Sequence, residues 1–181
     1  EAVNLGYFGT YWDLMWVFDA TQREKFLRLP VESAGGSRAF QALAFAQVYA
    51  LMSNAVELRR AAEVAEREHA LLLADAPDDE QLLVMHGLAL AFLGRRQEAI
   101  REGERAVAVM PISRDGYSAP YIQHQLVRIH MILGEKDRAL DLLEPLLNVP
   151  YFLSPAWLAI DPSFAPLKGH PRFERLLREK R

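Results

Sequence analysis

The side chains that could do chemistry in this chain are few and poorly grouped. There is no cysteine, so thiolate nucleophiles, thiolate ligands and disulfides are excluded. The five histidines are His69, His86, His124, His130 and His170. His124 and His130 stand six residues apart, a spacing that points them away from each other on a helix. No His-Glu-x-x-His pair, nucleophile elbow or phosphate-binding glycine loop occurs. His86 and His130 are read as interface residues, each with a hydrogen-bond partner. Asp78, Asp79 and Glu80 form an acidic cluster whose simplest role is to complement the positive end of a helix dipole. Arg114, Asp115 and Tyr117 fall in a loop, where an ion pair is expected to pin the chain and a ligand contact is the alternative. No catalytic residue, metal ligand or cofactor-binding residue is expected.

Net charge is −3, from 21 basic and 24 acidic residues. Acidic side chains interrupt the basic ones almost everywhere, which argues against the positive stripe that a nucleic-acid backbone requires. Residues 168–181 are locally basic. The plain reading is the solvated face of a terminal helix, and the sharper one is a contact with an anion or a partner. The longest weakly polar run, residues 82–94, is too short to cross a bilayer, which takes about 20 residues. The first residue is Glu1 and no basic leader with an apolar block is visible, so a fragment of a longer protein, or a processed one, is expected.

The elements that position these residues repeat. Gly94 opens a turn followed by Glu98-Ala99-Ile100, and Gly134, forty residues on, opens one followed by Arg138-Ala139-Leu140. Before the first turn, Leu83, His86, Gly87 and Leu90 fall on one face of a helix. After it come Ala99, Gly103, Ala106 and Met110. The next unit offers Gln123, Leu126, Val127 and His130, then Ala139, Leu143 and Leu146. Glycine suits the left-handed residue that ends many helices, and small residues let paired helices approach closely. Pro111 and Pro150 close the two units.

An earlier unit runs through Leu43, Ala46, Gln47 and Ala50 to a Ser53-Asn54 turn, then Leu58, Ala62, Ala65, His69 and Leu72 before Pro77. Its second helix should be nearly two turns longer, with Asp78 or Asp79 capping the helix that follows. Residues 7–18 are rich in aromatics: Tyr7, Phe8, Tyr11, Trp12, Trp16 and Phe18. They read as a buried first helix pair, or alternatively as a surface for a partner or for self-association. Thr21 and Glu24 match a capping box. Residues 31–37 and 112–120 read as loops. Pro145 is expected to kink the last long helix without ending it. At the end, Ser154-Pro155, Asp161-Pro162 and His170-Pro171 each start a short helix, the last with Phe173, Leu176 and Leu177 inward and Arg172, Arg175 and Arg178 outward.

The expected fold is therefore all-α: a single domain over residues 1–181, with helix pairs at roughly 5–29, 38–75, 79–110 and 119–149 and a cap at 154–181. The units around Gly87 and Val127 resemble tetratricopeptide repeats in the small residue of the first helix, the turn glycine, the alanine of the second helix and the closing proline. They depart from that family where it often has Trp (Leu83, Gln123) and Tyr (Leu90, His130), and the forty-residue spacing exceeds the usual 34. The segment with Tyr151, Ser154-Pro155-Ala156-Trp157, Asp161-Pro162 and Pro171-Arg172-Phe173 resembles the C-terminal end of repeat regions in bacterial multidomain signalling proteins, linked there to a kinase, a cyclase or a DNA-binding domain.

This resemblance implies an α-solenoid that binds proteins and catalyses nothing. It also implies a concave groove lined by the first helices of each pair, with Gln81, Val84, Leu88, Tyr121, His124, Arg128 and Met131 facing a bound peptide or helix. Arg128 would hold a carboxylate or carbonyl, and Tyr121 would give apolar contact. A homodimer formed through the aromatic N-terminal segment is the alternative. Neither nucleic acid nor membrane insertion is expected. The cytoplasm is the expected compartment, unless the parent protein carries a transmembrane segment that places this region outside.

Overall fold

Ser53, Gly94 and Gly134 share one backbone conformation, with φ of 55°, 73° and 77°. Each ends the first helix of a hairpin, and each is closed in the same way. The next amide donates back five residues, from Asn54 to Tyr49 O (3.0 Å), from Arg95 to Leu90 O (3.0 Å) and from Glu135 to His130 O (2.8 Å). This six-to-one bond satisfies a carbonyl that the helix end would otherwise leave bare. The left-handed residue of the first turn is Ser53, one place before the Asn54 that a strict forty-residue register selects. Asn54 serves instead as the N-cap of the next helix.

A computed structural model of the chain describes residues 12–34 and 36–178. These residues are all-helical, and no strand occurs among them. The α-helices are α1 (Ala20–Phe26), α2 (Arg38–Leu51), α3 (Ala55–Asp75), α4 (Glu80–Phe92), α5 (Arg96–Val109), α6 (Ala119–Ile132), α7 (Lys136–Leu146), α8 (Pro155–Ile160) and α9 (Pro171–Arg178). Short 3-10 helices cover Trp12–Val17, Val31–Ala34 and Pro162–Leu167. The chain divides into two compact units, Glu1–Pro77 and Asp78–Arg181.

In the first unit α2 packs along α3. Ala39, Leu43 and Ala46 are buried on one helix, Ala62, Ala65 and His69 on the other. Arg38 and Glu68 pair at 3.6 Å and mark the level at which α2 begins. α3 continues to Asp75, and beyond that level Leu72, expected in the packed row, is 39% exposed. His69 is buried, its Nδ1 2.7 Å from Ala65 O and its ring edge-on to Phe40.

The pair expected at 5–29 is, within the described residues, a 3-10 turn and the two-turn helix α1. Met15 and Phe18 are buried, and Phe18, Phe26 and Phe45 touch in series at 5.5 and 5.6 Å. Tyr7, Phe8 and Tyr11 lie outside the described residues. The capping box is formed by Asp19 and Gln22, where the sequence suggested Thr21 and Glu24. Gln22 N donates to Asp19 Oδ1 (2.8 Å), and Asp19 N donates to Gln22 Oε1 (2.9 Å). Both motifs fit the three-residue spacing, and Asp, two residues earlier, is the stronger cap. The stretch 31–37, read as loop, includes the 3-10 turn Val31–Ala34.

In the second unit α4 and α5 form one hairpin, α6 and α7 another, and α6 packs on both α4 and α5. The contact is close because α4 and α5 have no side chain where α6 crosses. A Cβ at Gly87 would lie 2.8 Å from Ile129 Cδ1 and 3.1 Å from the Ala99 carbonyl oxygen. One at Gly103 would lie 2.7 Å from Leu126 Cδ1 and 2.9 Å from Ile129 Cδ1. Ala99, Ala106 and Ala139 are fully buried as well. Pro145 was expected to kink α7, but the helix stops one residue later. Proline offers no N–H, and the chain tightens there, with Asn148 N donating to Pro145 O (3.0 Å).

Two stability changes follow. Gly87→Val should over-pack the α4–α5–α6 contact and cost about 1–3 kcal/mol in urea unfolding; an unchanged midpoint would contradict the close approach. Ser53→Gly removes a strained left-handed side chain and should stabilise the first unit by about 1 kcal/mol, seen as a higher thermal midpoint; a drop would show that the serine hydroxyl matters more than the strain.

Candidate functional site

α6 carries more polar side chains than a buried helix normally tolerates. His124, Gln125, Arg128 and His130 are all buried, Arg128 being 9% exposed. Desolvating such groups is costly unless each finds a partner. Here each does. The Arg128 guanidinium donates to Gln125 Oε1 (3.1 Å). His124 Nδ1 lies 3.2 Å from the Tyr151 hydroxyl, and His130 Nδ1 lies 2.9 Å from Glu135 Oε2.

The seven residues expected to line a groove fall into three groups. Val84 and Leu88 are buried on α4, a helix whose apolar residues (Leu83, Val84, Met85, Leu88, Leu90 among them) leave no polar face along its middle. His124 and Met131 are buried by the C-terminal segment. Phe164 stacks on the His124 ring with centroids 6.0 Å apart and planes 8° apart, while Tyr151 and Phe152 meet it edge-on. Met131 joins the apolar core with Val127, Leu140, Leu143, Leu158, Phe164 and Phe173. In the third group Gln81 is exposed, Tyr121 half-buried and Arg128 buried against Gln125. Val84, Leu88, His124 and Met131 thus sit in packing, the last two because a segment 20 to 40 residues downstream folds back over this side of α6.

That segment is held by charge as well as by apolar contact. Asp137, Asp141 and Glu144 recur at i, i+4 and i+7 along α7. His170 Nε2 lies 3.2 Å from Asp137, and Arg172 reaches Asp141 (2.9 Å) and Glu144 (3.0 Å). Arg172, expected to point outward, is turned onto α7 by these two carboxylates. Hydrogen bonds to Glu144 and Asp141 raise its guanidinium pKa above the usual value. Asp161 is also buried, accepting from Ser163 N (2.8 Å) and from the Trp157 indole (3.2 Å).

A second ionic node joins the two hairpin turns of this unit. Glu135, one residue past Gly134, accepts from His130 and pairs with Arg96, two residues past Gly94. Burial pushes the Glu135 carboxyl up, but the hydrogen bonds from His130 and Arg96 and their charges outweigh it and hold its pKa below the usual value. Neither this node nor the α7 row was singled out from sequence. The i, i+4, i+7 carboxylates were the available signal for the second.

The other candidates resolve locally. Asp79 caps α4 through Leu82 N (2.8 Å), and Asp78 pairs with Arg105 (2.8 Å). The loop before α6 is pinned by hydrogen bonds in place of the ion pair expected between Arg114 and Asp115. Asp115 Oδ1 accepts from Tyr117 N (2.7 Å) and Ser118 N (3.0 Å), and Arg114 donates to Val109 O (2.9 Å). The two amides, Ser118 first, hold the Asp115 carboxyl below its ordinary pKa. Tyr117 stands 90% exposed. Among the described residues no cluster of three or more His, Asp or Glu is placed to hold a metal ion, and no helix is long and apolar enough to cross a membrane.

Glu135 gives a pH test. Its depressed pKa means that the stabilisation is complete above the unfolded glutamate value of about 4.3 and is lost as pH falls through the folded value. Wild type and Glu135→Gln should therefore converge in stability as pH drops from about 5 toward 3. A gap that stays constant across that range, measured by denaturant unfolding, would show that the carboxylate contributes nothing.

Comparison of the chain with protein-family models, with curated proteins and with solved structures returned no match.

Proposed function

We propose that this chain is a non-catalytic scaffold of tetratricopeptide-like helix pairs, arranged as an α-solenoid that binds a segment of another protein. One observation carries the reading: three helix hairpins closed by the same left-handed turn, at Ser53, Gly94 and Gly134. A module copied along a chain in this way has its apolar sides covered by neighbouring modules, and its first helices supply a continuous surface. The close approach at Gly87 supports the same reading, since the small residue of the first helix is one of the features the tetratricopeptide resemblance rests on.

The surface offered is narrower than the one drawn from sequence. Gln81 and Tyr121 are accessible, while Arg128 is buried and donates to Gln125. A bound peptide would take apolar contact from the Tyr121 ring and hydrogen bonds from Gln81. The resemblance of the 151–173 segment to repeat regions of bacterial signalling proteins makes the parent protein's own domains, or their targets, the natural source of such a peptide.

The test is capture with the intact chain, followed by affinity measurement for the captured partner. Gln81→Ala/Tyr121→Ala should weaken binding at least about tenfold, or 1.4 kcal/mol, with the helical circular dichroism spectrum unchanged. Equal affinity would remove the groove. Light scattering over a concentration series separates the alternative, self-association through the aromatic N-terminal segment: mass that rises with concentration, and ceases to do so in Trp16→Ala, would favour it.

A further inference from the structure

The end of the chain carries the opposite charge from the rest. Residues 168–181 hold six basic and two acidic side chains, while residues 1–167 hold 15 basic and 22 acidic. α9 sorts its residues by face: Phe173 and Leu176 are buried in the core, Arg172 is turned onto the α7 carboxylates, and Arg175 and Arg178, at i and i+3, are exposed. Lys168, just before the helix, is exposed too. Neither Lys168 nor Arg175 has an ion pair or hydrogen bond from its side chain among the described residues, and Arg178 reaches only Glu174 O of its own helix (3.1 Å).

Cations in the last turn of a helix complement its dipole, which gives Arg175 and Arg178 a local role. It gives none to Lys168, which lies at the other end. We infer that Arg175 and Arg178 on the outer face of α9, with Lys168 in the turn before it, form a docking surface for an acidic peptide segment of another protein. The same helix shows the chemistry on its inner edge, where Arg172 holds two carboxylates at 2.9 and 3.0 Å. Charge balance selects the class of anion. An extended polyanion such as nucleic acid, or a charged bilayer, also meets the acidic excess of the same unit, whose residues 78–167 hold 12 acidic and 8 basic side chains. A short acidic peptide engages the basic face alone. The apolar side of α9 is buried, so insertion into lipid is not available to it.

The inference does not rest on the groove, since none of Gln81, Tyr121 or Arg128 takes part. The probe is a labelled peptide of alternating glutamate and glycine, titrated with the intact chain at low ionic strength and followed by fluorescence anisotropy. Saturable binding is expected, weakened at least about tenfold in Lys168→Glu/Arg175→Glu/Arg178→Glu and by added salt. Gln81→Ala/Tyr121→Ala should leave it unchanged. Circular dichroism reports the fold of the charge-reversed chain; should it be unfolded, Arg175→Gln/Arg178→Gln decides, with a smaller loss of the same sign. Absence of saturable binding, or equal binding by the charge variants, overturns the proposal. So does tighter binding of phosphatidylserine vesicles or of a single-stranded oligonucleotide, which assigns the face to another anion.

Discussion

Where Ile129 of α6 passes over Gly87 and Gly103, three helices approach until one side chain fills the space that two missing side chains leave. The second unit depends on that contact. α4 and α5 are joined by a tight turn and must be close already; the glycines allow a third helix to reach both. Once α6 is set there, its hairpin partner α7 is set too, and so is the core into which Leu158, Phe164 and Phe173 return. An added methyl at Gly87 would meet the carbonyl oxygen of Ala99, which belongs to the main chain and cannot rotate aside.

Local rules made much of this fold readable. The hairpin turns, the small residues, the Asp79 and Ser154 caps and the length of α3 all follow from short-range spacing. Errors came where two local motifs overlapped or where distant chain intervened. Asp19–Gln22 and Thr21–Glu24 both fit the capping-box spacing, and the hydrogen bonds form at the pair with the stronger cap. Pro145 could bend or end a helix, and what decides is whether further helical hydrogen bonds follow. Helical phase alone put His124 and Met131 toward a groove, and both are buried. Phase carried no information about Tyr151, Phe152 and Phe164, which cover that side of α6.

The polar content of α6 has a related explanation. Four buried polar side chains on one helix would ordinarily count against a stable core. Each has a partner: His124 has Tyr151, His130 has Glu135, and Arg128 has Gln125 one turn before it. Two of the three partners lie outside the helix, so α6 is correct only in the company of the turn and of the segment that follow it. Such dependence favours one arrangement over others of similar apolar burial.

The row of carboxylates along α7 has a consequence for how such a chain can grow. Asp137, Asp141 and Glu144 are engaged by His170 and Arg172, and the apolar side of α7 is filled by Leu153, Leu158, Phe164 and Phe173. A newly duplicated hairpin spliced in after Asn148 would compete for ground already taken. One spliced in upstream, between Val109 and Ala119, would part α6 from Gly87 and Gly103. Both ends of the α6–α7 hairpin are therefore committed, and the second unit resists lengthening on either side of it.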